Sequence, residues 1–248
     1  MAGSARSALW LSIILPCWRD DDRVLHLLGT FPQNEGVEWV VAYAESSPAF
    51  PQEVRRHGAL AVDAGAPSRG GQLCAGAAHA RGGIFLFHHA DSHLTSSHLE
   101  SLHSLSSDPD WEWGAFYRKF DERHPALRPF EGVERWHNRN FGAVYGDQSL
   151  FIRREACRRH GGFRPIPLME DVEFSLRLRR SCPPRMIDPP MASSPRKHLA
   201  RGPWRTTLGN LLALGAFRLG VPPARLHAWY YPKSSASGNI STAAASLS

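Results

Sequence analysis

Four short stretches carry side chains whose types and spacing suit chemistry on a polyvalent anion. His88-His89-Ala90-Asp91 directly follows an apolar run. A carboxylate at such a place can hold a divalent cation, Mg2+ or Mn2+, and the cation can clamp a diphosphate. His89 would add a nitrogen ligand beside Asp91. The same acid can equally cap a following helix, with Ser92 or Thr95 competing for that place. Glu170-Asp171-Val172-Glu173 sets three carboxylates within four residues. Their mutual repulsion raises the pKa of at least one, and a carboxylate near neutrality can take a proton from a hydroxyl. The alternative is a helix start, where acids favour the positive end of the dipole. Arg69-Gly70-Gly71-Gln72 lies at a loop-to-helix junction, where glycines admit a phosphate and Arg69 attracts it. A flexible turn gives the same pattern. Gly146-Asp147-Gln148, just before an apolar run, offers an acid and an amide to ligand hydroxyls, or forms an ordinary turn.

The elements that must position these residues follow a βαβ rhythm. Leu11 to Leu15 reads as a buried strand that stops at Pro16, and Arg23 to Leu28 as a helix. Further strands are expected at Trp39 to Tyr43, Ala59 to Val62 and Ile84 to His88, with a small-residue helix from Gln72 to Ala80. Apolar strands alternating with helices predict an α/β fold, with a mostly parallel central sheet covered on both faces. Ligands on such sheets gather beyond the carboxyl ends of the strands. That rule singles out the segments after Pro16, Ala42 and His88. The second half is less regular: strands at Glu112 to Phe120 and Gln148 to Arg153, and helices at Asp171 to Arg180 and Trp204 to Leu219. A last helix opens at Pro222-Pro223 and ends near Tyr231. Residues 1–9 read as a tail, 10–231 as one domain, and the Ser/Ala/Gly-rich stretch 232–248 as a disordered tail.

The chain has 248 residues and a net charge of +6, and its only lysines are Lys119, Lys197 and Lys233. Arginine's planar fork suits diphosphates. No dense basic run with interleaved aromatics occurs, which argues against nucleic acid. Cys17, Cys74, Cys157 and Cys182 show no CxxC spacing, and reduced thiols in the cytoplasm are expected. Ala8 to Trp18 mimics a signal-peptide core, but no small-x-small site follows and Asp20, Asp21 and Asp22 come at once. Leu208 to Leu219 is too short to span a bilayer. It either packs into the core or rests on a membrane surface, with Arg201 and Arg205 before it and Trp229 to Tyr231 after it.

Taken together, these stretches resemble the family 2 glycosyltransferases of the GT-A fold, in a compact bacterial subgroup. The residues that carry the resemblance are Ser12 to Pro16 (SIILP), Gly82 to Asp91 (GGIFLFHHAD), Tyr145 to Arg153 (YGDQSLFIR), Gly161-Gly162-Phe163 and Pro167 to Leu178 (PLMEDVEFSLRL). Arg218 to Leu226 (RLGVPPARL) is similar to that subgroup's C-terminal helix junction. The resemblance spans roughly residues 10 to 230.

It implies a nucleotide-diphospho-sugar donor, a divalent cation and a hydroxyl acceptor, with inverting transfer expected and a lipid-linked acceptor as one option. By it, Asp91 with His89 holds the metal. Asp171 is the general base with Glu170 beside it. Pro16, Arg69, Gln72, Asp91 and Glu45 lie along the donor, and Asp147 and Gln148 meet the acceptor or the donor sugar. The expected location is the cytoplasm, with peripheral contact on the inner membrane face as the option that the helix after Trp204 leaves open. The sequence departs from the family at Ala42, where an Asp that contacts the base is usual, and Glu45 is its candidate substitute. A Gly-Ser-x-Asp run is likewise replaced by Tyr43-Ala44-Glu45-Ser46-Ser47. These departures motivate an alternative: a non-catalytic relative that binds a nucleotide-sugar or a protein partner. A nucleotidyltransferase is a third option. Trp18-Arg19-Asp20-Asp21-Asp22 stands against it, where such enzymes carry a longer Gly-rich loop.

Overall fold

The computed structural model describes residues 9–120, 143–193 and 203–230, together with Gly132. The tail expected over 232–248 and most of that expected over 1–9 lie outside the described residues. The described strands form one eight-stranded sheet. They are β1 (Leu11–Trp18), β2 (Val37–Ala44), β3 (Leu60–Asp63), β4 (Ile84–Phe87), β5 (Ser92–His93), β6 (Trp113–Phe120), β7 (Phe151–Arg153) and β8 (Arg185–Ser193). Their order is β3-β2-β1-β4-β7-β6-β8-β5. The pairs β3–β2, β2–β1, β1–β4 and β6–β8 are parallel, and β4–β7, β7–β6 and β8–β5 are antiparallel. This is the expected α/β architecture, mixed in its second half.

Side-chain burial explains the central strands. Leu11, Ile13, Ile14 and Leu15 have no exposed surface, and β4 is buried along its whole length. A strand in the middle of a covered sheet needs apolar residues on both faces. On one face, β1 packs with α1 (Asp21–Thr30), α2 (Phe50–Arg56) and α4 (Ser96–Ser106) through Val24, Leu28, Phe50, Val54 and Leu102. On the other it meets α3 (Arg69–His79), α5 (Arg154–Arg159) and α6 (Glu170–Arg179) through Leu73, Cys157, Phe174 and Leu178. The helix α7 (Pro203–Arg218) is followed by α8 (Pro223–Tyr230).

Three boundaries differ from expectation, each for a local reason. Strand β1 runs past Pro16 to Trp18. The carbonyl of Ile14 receives His88 N–H on the β4 side, so Pro16, two residues on, faces that same side. Pairing with β4 ends at Ile14, and the missing Pro16 N–H therefore costs no ladder bond. Helix α3 begins at Arg69 rather than Gln72, because the Ser68 side chain caps it by accepting the Gly71 N–H at 3.3 Å. Strand β7 starts only at Phe151. The residues Gly146–Gln148 form a short 3-10 turn, and Ser149 then takes a left-handed backbone at φ 49°.

Small residues let α3 lie close to the sheet. A Cβ on Gly76 would stand 2.5 Å from Ile14 Cγ2 and 3.5 Å from Ala42 Cβ. The helix therefore sits over the carboxyl ends of β1 and β2, which brings its N-terminal turn to the switch point between β1 and β4.

Candidate active site

The site is built around Arg69, in the first turn of α3. Its Nη1 lies 3.2 Å from Glu170 Oε1 and 3.8 Å from Asp171 Oδ2, at the start of α6. Burial works against the guanidinium charge. The carboxylates of Glu170, Asp171, Asp147 and Asp91, in that order, outweigh it and hold Arg69 above its ordinary pKa. The acids after β4, in the 3-10 turn and at the α6 N-terminus thus surround one cation, although up to eighty positions separate them in the chain. Gly146 makes room for it: a Cβ there would fall 1.6 Å from Arg69 Nη2, so only glycine leaves space for the guanidinium.

The two acids of α6 have different surroundings. Glu170 is buried. Burial, and next the charge of Asp171, raise its pKa, and Arg69 pulls it back. The raised carboxyl expected in this acidic run is therefore Glu170. Asp171 keeps more surface, and its oxygens accept backbone N–H groups: Oδ2 from Gly146 at 2.6 Å and Oδ1 from Val172 at 2.7 Å. The first bond ties the acid to the turn that carries Asp147. The preceding residue, Met169, has φ 66°, a strained backbone that turns the chain into the helix at the site.

Asp147 accepts from Arg118 Nη1 at 2.7 Å, while its Oδ1 is buried without a hydrogen-bond partner. Its neighbour Gln148 is fully buried and engaged at both ends of the amide. Oε1 accepts from Tyr145 N–H at 3.0 Å, and Nε2 donates to Phe116 O at 3.4 Å. Gln148 braces the turn and does not open to ligand. The same holds for Gln72, which is 2% exposed. Its Nε2 donates to Cys17 O and, at 3.1 Å, to Ala42 O, stapling the ends of β1 and β2. Gly70 likewise serves packing, since a Cβ there would meet Arg164 O at 2.2 Å.

Asp91 is not a helix cap. Helix α4 starts at Ser96 after Thr95, whose N–H donates to His98 Nδ1 at 3.1 Å. Instead His89 Nδ1 lies 2.5 Å from Asp91 Oδ1, and both side chains are about a third exposed. That contact is a hydrogen-bonded pair, and a divalent cation taking both side chains as ligands would replace it and draw its other ligands from a bound diphosphate and water. The two side chains do not make a closed metal cage. Among the described residues, no group of three or more His, Cys, Asp or Glu is placed to hold an ion.

At the carboxyl ends of β1 and β2, Glu45 Oε2 accepts from Trp18 Nε1 at 3.0 Å and from Arg19 Nε at 2.9 Å. Arg19 and Glu45 both have positive φ, 55° and 51°. The Trp18 indole first, and then Arg19, hold the Glu45 carboxyl below its usual pKa. Ala42 is fully buried beneath α3, with its carbonyl taken by Gln72. Pro16 pairs with Ala42 in the same rim. A cavity of about 340 Å3 lies elsewhere, lined by Cys74, Ala78, Cys157 and Phe163, and includes none of these acids. All four cysteines are free, and burial pushes Cys17 to about 11 and Cys157 to about 12.

Arg118 and Trp18 escape the sequence reading. The signal for Arg118 is a charge that opens the Arg118-Lys119 pair at the end of a strand whose first half is apolar. For Trp18 it is a large aromatic at a strand's carboxyl end, which the structure leaves 53% exposed.

No family model and no curated protein matches the chain in sequence. Among solved structures it is similar to a mannosyltransferase from Pyrobaculum calidifontis in complex with GDP-Man and Mn2+. The TM-score is 0.63 at 22% identity, over 89% of this chain and 69% of that one. It is similar also to residues 1–349 of TarS from S. aureus, with TM-score 0.55 at 13% identity over 91% and 72% of the two chains. A third is glucosyl-3-phosphoglycerate synthase from Mycobacterium tuberculosis in complex with Mn2+, UDP and glucosyl-3-phosphoglycerate. There the TM-score is 0.52 at 15% identity, over 84% and 80%. The fold is thus GT-A-like.

Proposed function

We propose that the chain transfers a sugar from a nucleotide-diphospho-sugar to a hydroxyl acceptor, with inversion at the anomeric carbon. The observation that carries this reading is the meeting of Arg69 with Glu170 and Asp171, against the turn that carries Asp147, which in turn touches the segment after Asp91. Support comes from the GT-A-like fold, and from the nucleotide-sugar and Mn2+ in the complex of the Pyrobaculum mannosyltransferase.

In this reading Asp91 and His89 hold a divalent cation. When bound, it neutralises the donor's diphosphate and eases its departure. Arg69 adds positive charge beside the same phosphates, and Glu170 fixes it there. Glu45, set by Trp18 and Arg19, lies at the rim for the nucleoside end, in place of an acid at position 42. Asp147, held by Arg118 and with its second oxygen buried, would meet the sugar or the acceptor only by giving up part of this setting. Asp171 takes the proton from the acceptor hydroxyl as its oxygen forms the new bond to the anomeric carbon; the sugar–phosphate bond breaks and the nucleoside diphosphate leaves.

Asp171→Asn tests the base directly. It keeps the shape and one acceptor oxygen for Gly146 N–H. Turnover should fall at least about 100-fold while the donor dissociation constant stays within about threefold. Undiminished turnover would remove Asp171 from the mechanism. A non-catalytic binding protein is the second reading. It is favoured by buried Ala42 and by the two backbone N–H groups already on Asp171. Calorimetric titration with a panel of nucleotide sugars and Mn2+ separates the two: binding with neither transfer nor donor hydrolysis supports the second.

A further inference from the structure

Helix α7 has two apolar faces. The inner one buries Ala213 and Leu214 and, with Phe217, packs on Val172, Tyr145 and Met169. The outer one carries Leu208, Leu211 and Leu212, and continues into Leu219 in the turn just past the helix; these are 58%, 51%, 56% and 87% exposed. The first three positions, i, i+3 and i+4, fall on one stripe. Seven large apolar side chains are exposed among the described residues, and five of them are here, counting Trp229 on α8. A contiguous patch of this kind marks a contact surface, unlike scattered single residues. The inner face realises the core packing expected of this helix, and the outer face is left exposed.

The charge of the chain is divided at the same place. Of 29 basic and 23 acidic residues, 22 and 23 lie before Pro189, and seven and none from there to the end. The excess positive charge is therefore carried by residues 189–248 of the sequence, and of these basic residues Arg218 and Arg225 are described and exposed. Two copies meeting through this face would bring like charges together, which argues against self-association. An anionic lipid surface complements both features: its headgroups meet the Arg and Lys residues, and its acyl boundary takes the leucines and Trp229. With 16 residues, α7 is about 24 Å long and cannot cross the hydrocarbon core. Among the described residues no helix is long and apolar enough to do so.

We infer that the outer face of α7, with Trp229 of α8, seats the protein on an anionic membrane surface. The inner face of the same helix packs on Tyr145 and Met169, the residues just before Gly146-Asp147 and Glu170-Asp171. Seating would thus set the acidic site close to the bilayer, where a lipid-linked hydroxyl acceptor would be presented. That last consequence rests on the transferase reading; the seating does not.

Flotation with vesicles tests the seating without any sugar donor. Vesicles of phosphatidylcholine with about one-third phosphatidylglycerol should float the protein at least about tenfold more than phosphatidylcholine alone, and high salt should reduce this. The double variant Leu211→Glu, Leu212→Glu changes only exposed positions. It should keep its circular dichroism and melting temperature and lose flotation. A protein that stays below the anionic vesicles, or a double variant that floats like the parent, overturns the inference. So does a parent that sizes as a dimer in solution and becomes monomeric on this double substitution, because a second copy would then cover the face.

Discussion

Arg69 stands where four carboxylates would otherwise repel one another, and Gly146 is the residue that lets it stand there. The pairing reads as weak in sequence, since a lone Gly-Asp-Gln is an ordinary turn until the fold shows what lies against it. Gly146→Ala tests the arrangement without touching any ionisable group. The added methyl overlaps Arg69 Nη2, and the guanidinium must leave Glu170 and Asp171. Transfer activity should drop at least about tenfold, with a stability loss of about 1–3 kcal/mol, the ordinary cost of overpacking. Parental activity would mean that Arg69 has no part in the reaction. Asp91, Glu170 and Asp171 were legible as acids in the right order along the chain. The burial of Gln72 and Gln148 was not, because an amide that holds two backbone groups looks, in sequence, the same as one that waits for a ligand.

At the level of elements, the central strands were plain because they are short apolar runs buried on both faces. Strand β8 was hidden: it contains Pro189 and Pro190, which argue against a strand, and it lies beside β6 and β5 near the edge of the sheet. Helices α2 and α5 are too short, at seven and six residues, to show a period. The junction of β4 with β7 makes a prediction of its own. His88, at the end of β4, is 1% exposed, and its Nδ1 lies 2.7 Å from Ser149 Oγ in the turn before β7. Burial first, and then the neighbouring His89, lower its pKa from 6.5 to about 3; His98 also lowers it and Asp91 opposes. Between those values the unfolded chain binds a proton that the folded one refuses. The stability contributed by neutral His88 is full above about pH 6.5 and is lost as pH falls toward 3. Urea unfolding at a series of pH values should show this loss on acidification. His88→Asn, which keeps a partner for Ser149, should bind about one proton fewer on unfolding in that window. An unchanged slope in the variant would mean that His88 is protonated in the folded state.

For the whole molecule, the sheet order sets what can meet. Strands β1 and β4 lie side by side while their connections leave in opposite directions, and the segments after both strands end at one rim. Helix α3 covers that rim from one face and α6 reaches it from the same layer, so acids from distant parts of the chain meet at one rim. Hydrophobic periodicity foretold the layers, but it carries no information on which loop tips coincide. That coincidence becomes visible only when β7 is seen to return antiparallel beside β4, which brings Asp147 next to the His-Ala-Asp segment. The division of charge between residues before and after Pro189 is likewise a property of the whole chain.

The proposed function requires that this rim take a nucleoside diphosphate together with a divalent cation held at Asp91. The direct measurement is Mn2+ binding followed by electron paramagnetic resonance, with and without a nucleoside diphosphate, in the parent and in Asp91→Asn. The account predicts that Mn2+ binds tightly only when the nucleotide is present, and that Asp91→Asn loses this cooperativity while remaining folded. Nucleotide binding of equal strength with Mn2+ and with a chelator, unaltered in Asp91→Asn, would contradict it.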